Sequence, residues 1–173
     1  MILLIGAGSI GKRHLGNLVG LGARELAVAD PREDRRREAA ERAQAALEQE
    51  EPSRRGQPLR VLTFSSAEEA YAQAGNRFSE VVIATPPPSH PAEIRRAIAS
   101  GASVFCEKPL ATDEESWEEL AGLCAEAERA RRVALVAYNY RFNTQLIELR
   151  RMIREGAVGR VLSVRGAFSE NLR

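Results

Sequence analysis

The sequence predicts an α/β protein built on a doubly wound parallel sheet of about six strands. Six short apolar runs alternate with helical patterns along the chain, as do the strands and crossover helices of a parallel sheet. A glycine-rich turn directly follows the first run, and an acidic residue directly follows the second. The predicted strands are 2–5, 25–29, 60–64, 80–84, 102–106 and 133–137.

The segments between these strands have helical periodicity. The first helix, over 9–21, places four apolar residues on one face: Ile10, Leu15, Leu18 and Val19. The last, over 113–132, has an acidic residue in its first turn and arginines in its last, which suits the helix dipole. The other predicted helices are 32–51, 66–74 and 91–100. Together these elements form a predicted first domain over residues 1–137.

The pattern changes after residue 137. A helix is predicted over 143–155, followed by a strand over 160–168 in which Leu162, Val164 and Phe168 point to one side. Such alternation is typical of a sheet with one solvated face. Residues 138–173 are therefore predicted to be the linker, helix and one orphan strand of a second, truncated α/β domain. The unpaired edge of that strand predicts a homo-oligomer formed through residues 160–168.

The composition excludes several classes of function. The chain has 173 residues, 44% of them hydrophobic, and its net charge of +1 gives no field that would attract nucleic acid or an anionic membrane. No apolar run approaches the ~18 residues of a membrane span, and no signal peptide is visible. Cys106 and Cys124 form neither a disulfide framework nor a metal-ligand spacing. We therefore expect a cytoplasmic protein without a metal site.

The motif Gly6-Ala-Gly8-Ser-Ile-Gly11 joins the first strand to the first helix. Its glycines allow a tight turn, close approach of the backbone to a pyrophosphate, and close packing of helix on strand. The helix begins at Ser9 and Ile10, where free N–H groups can bind phosphate. Asp30 ends the second strand, where a carboxylate can accept hydrogen bonds from a ribose diol. The combination predicts a dinucleotide site, with a structural glycine turn as the alternative.

The residues after the second strand bear on the choice between NAD and NADP. Asp30 favours NAD, because the 2′-phosphate of NADP would meet a like charge. Arg32 and Arg35 favour NADP, since guanidinium groups pair with phosphate, unless both belong to a solvated helix face. NAD is the predicted cofactor, and NADP is the alternative.

Two further motifs follow predicted strands, at the edge where ligands of doubly wound sheets bind. Thr85, Pro86 and His90 follow the fourth strand and are predicted to border the cofactor, unless the prolines merely end the strand. Glu107 and Lys108 follow the fifth strand, also beside the predicted cofactor. A lysine there could transfer a proton to or from a substrate hydroxyl, with an ordinary surface lysine as the alternative.

One histidine and one cysteine are predicted to have structural roles. His14 is interpreted as a packing or capping residue of the first helix. Cys106 is interpreted as a small buried apolar residue, because no histidine lies beside it in the sequence.

An aromatic cluster, Tyr138-Asn-Tyr-Arg-Phe142, follows the sixth strand. Its rings could form the wall of a nicotinamide or sugar site, with Asn139 and Arg141 as hydrogen-bond donors. The alternative is an apolar joint between two domains.

These motifs, in this order, resemble those of the Gfo/Idh/MocA oxidoreductases. The resemblance covers residues 1–168 and rests on Gly6-Ala-Gly8-Ser-Ile-Gly11-Lys-Arg-His14, Ala84-Thr85-Pro86 with Ser89-His90, Cys106-Glu107-Lys108-Pro109-Leu110, and Tyr138-Asn-Tyr-Arg-Phe142. It implies a Rossmann domain that binds NAD or NADP, followed by a substrate domain that commonly forms dimers or tetramers. It also implies that Lys108 is catalytic and that the Lys108–Pro109 bond can be cis. The implied reaction is hydride transfer between nicotinamide and a carbinol carbon of a sugar, cyclitol or nucleotide-sugar.

The chain departs from the family in one respect. The family's second acid/base group lies in an Asp-x-x-x-His motif, which does not occur after Phe142 in these residues. We therefore expect the 173-residue chain to bind dinucleotide but to be inactive or poorly active. A small sugar-like substrate would bind only if a C-terminal domain were supplied. The alternatives are a non-catalytic dinucleotide-binding sensor or regulator, and a truncated gene product.

Overall fold

The computed structural model describes residues 1–51, 56–74 and 77–167. The chain divides into two compact units, Met1–Ala137 and Tyr138–Arg173. None of the described helices combines the length and the apolar composition that crossing a membrane would require.

The first unit contains one sheet of six parallel strands, so the predicted fold class is confirmed. The chain builds one half of the sheet outward from the first strand and then crosses over to build the other half, which is the doubly wound arrangement. Its lateral order is β3-β2-β1-β4-β5-β6. The strands are β1 (Ile2–Ile5), β2 (Glu25–Ala29), β3 (Arg60–Phe64), β4 (Glu80–Ile83), β5 (Ser103–Cys106) and β6 (Ala134–Val136).

Five helices connect these strands and cover the two faces of the sheet. They are α1 (Ser9–Gly20), α2 (Glu33–Glu48), α3 (Ala67–Ala74), α4 (His90–Ala99) and α5 (Glu114–Arg129). A short 3-10 helix, Pro87–Ser89, precedes α4. Because side chains alternate along a strand, Leu4 of β1 packs beneath α1 and α2, whereas Leu3 and Ile5 pack in the core beneath α3, α4 and α5. The central strands β1, β2 and β4 are therefore largely buried on both faces, as their continuous apolar sequences predict, whereas Leu135 of the edge strand β6 is exposed.

The ends of the helices differ from the predicted bounds by up to three residues. Helix α5 ends at Arg129 rather than at 132, because Arg131 adopts a left-handed conformation with φ of 54°. The N–H of Arg132 then bonds back to the carbonyl of Ala127 at 2.9 Å, which closes the helix. Helix α2 ends at Glu48 rather than at 51.

The second unit contains one of the two elements predicted for it. A 3-10 helix spans Asn139–Phe142 and is followed by α6 (Thr144–Arg154), where the Asn143 side chain caps the first turn by accepting the N–H groups of residues 145 and 146. The predicted strand over 160–168 is wrong for residues 160–167, which form no strand, and Phe168 lies outside the described residues. A strand forms by hydrogen bonding to a neighbouring strand, and the described part of this unit provides none. Leu162 and Val164 are exposed there.

Candidate functional site

The carboxyl ends of the strands form one edge of the sheet, where the loops carrying the sequence motifs meet. The strand order reverses between β1 and β4, and a crevice forms at such a point. A cleft of about 600 Å³ opens along the ends of β1, β2, β3 and β4. Loop residues from these four strands line it, among them Gly6, Gly8, Asp30, Ser65, Thr85 and Pro86.

Gly6 and Gly11 are required by the backbone itself. Gly6 has φ of +91°, and a Cβ there would lie 2.7 Å from the carbonyl oxygen of Ala84, in the loop after β4. A Cβ at Gly11 would lie 2.0 Å from the carbonyl oxygen of Gly6, so only glycine allows α1 to start this close to the turn. The two glycines bring the loop after β1 against α1 and against the loop after β4.

Gly8 and the first turn of α1 have the geometry of an anion site. A Cβ at Gly8 would meet nothing within 4 Å, so no contact within the described protein requires glycine here and the space beside it is open to a ligand. Gly8 is the N-cap of α1, no side chain caps the helix, and no acidic residue occurs in its first turn. Ser9 and Ile10, which begin the helix, are exposed. Free N–H groups and the positive end of the helix dipole therefore meet at a surface that can accept a phosphate.

Asp30 connects the end of β2 to the glycine loop. Its side chain is 4% exposed, and its Oδ2 accepts the N–H of Ala7 at 2.8 Å. Its Oδ1 accepts the N–H of Arg32 at 2.9 Å. Each carboxylate oxygen has a further lone pair, and Asp30 lines the cleft, so it can also accept a hydrogen bond from a bound diol.

The two arginines whose positions favour NADP, Arg32 and Arg35, each lie beside a carboxylate. Arg32 donates from Nε to Oδ1 of Asp34 at 3.1 Å, and this hydrogen bond lowers the pKa of the Asp34 carboxyl to about 2. The Arg35 guanidinium lies 3.9 Å from Oδ2 of Asp30 and lines the cleft. Both arginines line the cleft beside a carboxylate, so a cofactor with a 2′-phosphate would have to compete with Asp34 and Asp30 for them.

The loop after β4 divides into cleft residues and a buried anchor. Thr85 and Pro86 line the cleft, as predicted. His90 does not line it, because its side chain is fully buried. Its Nε2 lies 2.8 Å from the carbonyl oxygen of Thr85, and its Nδ1 lies 2.8 Å from that of Pro109. His90 therefore connects the loop after β4 to the loop after β5.

The loop after β5 presents Lys108 on the same edge of the sheet, outside the lining of the 600 Å³ cleft. The N–H of Glu107 continues the sheet by bonding to the carbonyl of Ile83 at 2.9 Å. Its carboxylate contacts Nε2 of His14 at 2.7 Å. Lys108 is exposed, and the Lys108–Pro109 bond is cis, as the resemblance implied. An exposed primary amine at this edge can reach a ligand bound beside β4 and β5.

One contact of the site and several residues of the cleft were not predicted from the sequence. The partners His14 and Glu107 are 93 residues apart, so nothing local connects them. Glu93 and Glu68, which line the cleft, were also missed. Residues that follow parallel strands share one edge, and this rule would have identified Ser65 and Ser66, which follow β3 and line the cleft but were not predicted.

Asn139 and Arg141 belong to the second unit. Both lie on the 3-10 helix Asn139–Phe142 and both are exposed. The rings of Tyr138, Tyr140 and Phe142 are also at least 48% exposed. Their contribution to a cofactor site stays a prediction.

The two cysteines differ in their surroundings, and this gives a direct test of the structure. Burial raises the pKa of the Cys106 thiol to about 12, with a smaller contribution from the charge of Glu107, whereas Cys124 is exposed. We expect Ellman's reagent at mildly alkaline pH to modify one thiol in the native protein and two in denaturant, because thiolate is the reactive form. Cys124→Ser should remove the native reaction and Cys106→Ser should preserve it. Fast native modification of the Cys124→Ser variant would contradict the burial of Cys106.

Comparison with known proteins identifies a family. Residues 1–138 match the model of the Gfo/Idh/MocA oxidoreductase family, NAD-binding Rossmann fold. The chain is 36% identical over 163 residues to inositol 2-dehydrogenase 4 of Saccharopolyspora erythraea, covering 92% of this chain and 42% of the relative. It is 33% identical to inositol 2-dehydrogenase of Streptomyces avermitilis, with 93% and 42% coverage. The chain thus spans less than half the length of these curated relatives.

Solved structures show the same fold. The WlbA dehydrogenase from Bordetella pertussis, solved in complex with NADH and UDP-GlcNAcA, superimposes with a TM-score of 0.70 at 25% identity, over 90% of this chain and 42% of that one. The myo-inositol 2-dehydrogenase from Lactobacillus plantarum superimposes with a TM-score of 0.75 at 20% identity, over 92% and 42%, which supports the fold alone. With its six-stranded sheet, its glycine loop and a family match over residues 1–138, the chain belongs to the Gfo/Idh/MocA oxidoreductase family, with an NAD-binding Rossmann fold.

Proposed function

We propose that residues 1–137 hold NAD across the carboxyl edge of the sheet, and that the protein exchanges hydride between NAD and a carbinol carbon of a cyclitol or sugar. One observation carries the proposal. The Asp30 carboxylate is bonded to the glycine loop at the end of β1, and the exposed Lys108 follows β5 on the same edge. A phosphate site, a diol acceptor and a proton-transfer group thus share one edge, at the point where the strand order reverses.

The residues divide between the two halves of the dinucleotide. Asp30 would accept hydrogen bonds from the adenosine ribose, and the first turn of α1 would bind the pyrophosphate. The nicotinamide half would then lie toward β4 and β5, near Thr85 and Lys108. NAD, when bound there, supplies the hydride acceptor.

Lys108 is the residue suited to the accompanying proton. Oxidation of a carbinol releases a hydride from carbon and a proton from the hydroxyl, and an amine can accept that proton and pass it to water. Lysine is rare in this chain: of 25 basic residues, two are Lys and the others are Arg. Arginine cannot release its proton near neutral pH, so a proton-transfer position would need the lysine that occurs at 108.

The substrate class rests on the relatives. The two curated relatives are inositol 2-dehydrogenases, and a structural relative was solved with the nucleotide-sugar UDP-GlcNAcA. We propose a cyclitol as the substrate, because both of these curated relatives, at 36% and 33% identity, are inositol dehydrogenases.

Cofactor binding is tested by thermal denaturation with NAD and with NADP. At 100 times its Kd, a ligand stabilises the native state by about 2.7 kcal/mol, which for this size raises the melting temperature by roughly 5–10 °C. We expect this shift with NAD and a smaller one with NADP, because Asp30 repels a 2′-phosphate while Arg32 is paired to Asp34. Equal shifts would show that Arg32 and Arg35 accept the phosphate. If neither dinucleotide changes the melting temperature, the proposal is contradicted.

Hydride transfer is tested by following NADH formation from NAD and inositol. In a form of the protein that shows turnover, Lys108→Arg should lower kcat about 100-fold, because the charge is kept but the proton cannot be exchanged. The Kd for NADH should change little. Unchanged kcat in the variant would exclude Lys108 as the proton-transfer group.

A further inference from the structure

Both histidines of the chain contact the residues that flank Lys108. The sequence contains two histidines, one on α1 and one at the start of α4. His14 contacts the side chain of Glu107, directly before Lys108, and His90 contacts the main chain of Pro109, directly after it. Lys108 itself is exposed. The exposed lysine thus lies between two neighbours that are each held by a histidine.

The anchor before Lys108 uses both oxygens of one carboxylate. Nε2 of His14 lies 2.7 Å from Oε1 of Glu107, and since an ionised carboxylate only accepts hydrogen bonds, Nε2 carries the proton. Oε2 of Glu107 accepts the main-chain N–H of Lys108 at 3.3 Å. The imidazole is held edge-on to the ring of Phe105, with centroids 5.3 Å apart at 77°. Helix α1, β5 and the backbone of Lys108 are thereby connected through one pair of side chains.

The anchor after Lys108 is fully buried. Both ring nitrogens of His90 face carbonyl oxygens, of Thr85 and of Pro109, each at 2.8 Å. A carbonyl oxygen only accepts, so a neutral imidazole donates to one of them and an imidazolium donates to both. In either form the ring fills the space between the loops after β4 and β5.

We propose that His14 and His90 are positioning residues, which fix the backbone on both sides of Lys108 so that its amine is presented in one direction. The consequence for proton transfer rests on the proposed function, whereas the positioning itself is a property of the chain without cofactor. A lysine side chain has several rotatable bonds, so a fixed backbone is needed to confine its amine to the region of the reacting hydroxyl. His14 and His90 themselves would not contact the cofactor.

The small number of lysines allows a direct measurement. Lys12 and Lys108 are the two lysines of the chain, so reductive methylation with 13C-formaldehyde gives two lysine signals besides that of the N-terminus. Lys12 is ion-paired with Glu38 on α2 and serves as an internal reference. We expect His14→Leu to move the Lys108 signal to the position and line width of an unconstrained methyl-lysine, while the Lys12 signal stays in place.

Three further variants separate positioning from general damage to the fold. His14→Gln places an amide N–H near the position of Nε2 and should restore the Lys108 signal, whereas His14→Asn carries the same group one bond too short and should not. Asn17→Leu, one turn along α1, should leave the signal unchanged. Unmoved Lys108 signals in both His14→Leu and His14→Asn would overturn the role of His14, and equal movement in Asn17→Leu would show a general effect of α1.

His90 needs a separate design because it is buried. His90→Asn keeps a donor near the position of Nδ1, toward Pro109, and His90→Leu removes both donors. We expect the Lys108 signal to move in His90→Leu and to be largely restored in His90→Asn. If both variants shift it equally, or neither does, the role of His90 is wrong. If His90→Leu fails to fold, the role is decided by comparing His90→Asn with the unmodified protein. An unchanged Lys108 signal in His90→Asn would support the role of the Pro109 contact. A signal displaced as far as in His14→Leu would show that this contact does not position Lys108.

Binding data distinguish this inference from the proposed function. The His14→Leu variant should bind ADP with less than about a twofold change in Kd and NADH about tenfold more weakly, since only NADH reaches the loop after β5. A moved Lys108 signal in a protein that binds neither nucleotide would support positioning and contradict the proposed function. Equal loss of ADP and NADH binding would show damage to the glycine loop rather than to the presentation of Lys108.

Discussion

Replacing Gly11 with alanine is expected to destabilise the first unit by about 3 kcal/mol or more and to abolish NAD binding. A Cβ at this position would lie 2.0 Å from the carbonyl oxygen of Gly6. Both groups belong to the backbone, so the overlap can be relieved only if α1 moves away from the glycine loop. That movement also displaces the N–H groups proposed for the pyrophosphate. By calorimetry, the melting temperature should fall by about 10 °C.

Two other glycines provide matched controls for this result. A Cβ at Gly8 meets no protein atom within 4 Å, so Gly8→Ala should keep the melting temperature while raising the Kd for NAD at least about tenfold. Gly122 is exposed in the middle of α5 and has the same free space, so Gly122→Ala should stabilise the fold by about 0.5–1 kcal/mol and leave binding unchanged. A Gly11→Ala protein that melts and binds as the unmodified chain does would contradict the close contact at Gly6.

Replacing Asp30 with alanine is expected to weaken NAD binding roughly 100- to 1,000-fold and to destabilise the fold by about 2–4 kcal/mol. The N–H groups of Ala7 and Arg32 would lose their acceptors, and Ala7 is fully buried. A buried donor without an acceptor carries its full desolvation cost. The ribose diol would lose its acceptor at the same time. Urea denaturation measures the first effect, and NADH fluorescence measures the second.

The Asp30→Asn variant separates the charge from the hydrogen bonds. Asparagine keeps one carbonyl oxygen for the loop but carries no charge, so the preference for NAD over NADP should fall by about tenfold. Glu41→Gln serves as the control. It also removes one negative charge, but Glu41 is exposed on α2, where it pairs with Arg37. An unchanged ratio of the two Kd values in Asp30→Asn would show that Asp30 does not select against the 2′-phosphate.

The pattern of apolar runs was sufficient to predict the sheet. Strands β1, β2 and β3 have the predicted bounds, because the strands of a helix-covered parallel sheet are short, mostly apolar runs, and such runs are visible locally. The site loops were predicted for a related reason. Parallel strands carry their carboxyl ends to one edge, so the residues after each run share that edge whatever the lateral order. Asp30, Thr85 and Lys108 were placed in this way.

The tertiary structure decided what depends on partners distant in the chain. The alternation over 160–168 predicted a strand, yet residues 160–167 form none, because strand formation depends on a neighbouring strand and not on the pattern alone. His90 was predicted to border the cofactor and instead is buried between two carbonyl oxygens.

The sequence by itself therefore determined the fold class, the glycine loop and the lysine that follows β5, since each depends on residues close together in the chain. Only the tertiary structure decided which of the polar residues near that lysine face a ligand and which hold the loops together. The contact of His14 with Glu107 spans 93 residues, and that of His90 with Pro109 spans 19. Contacts of this kind follow from the packing of helices on a completed sheet, which no local pattern of residues contains.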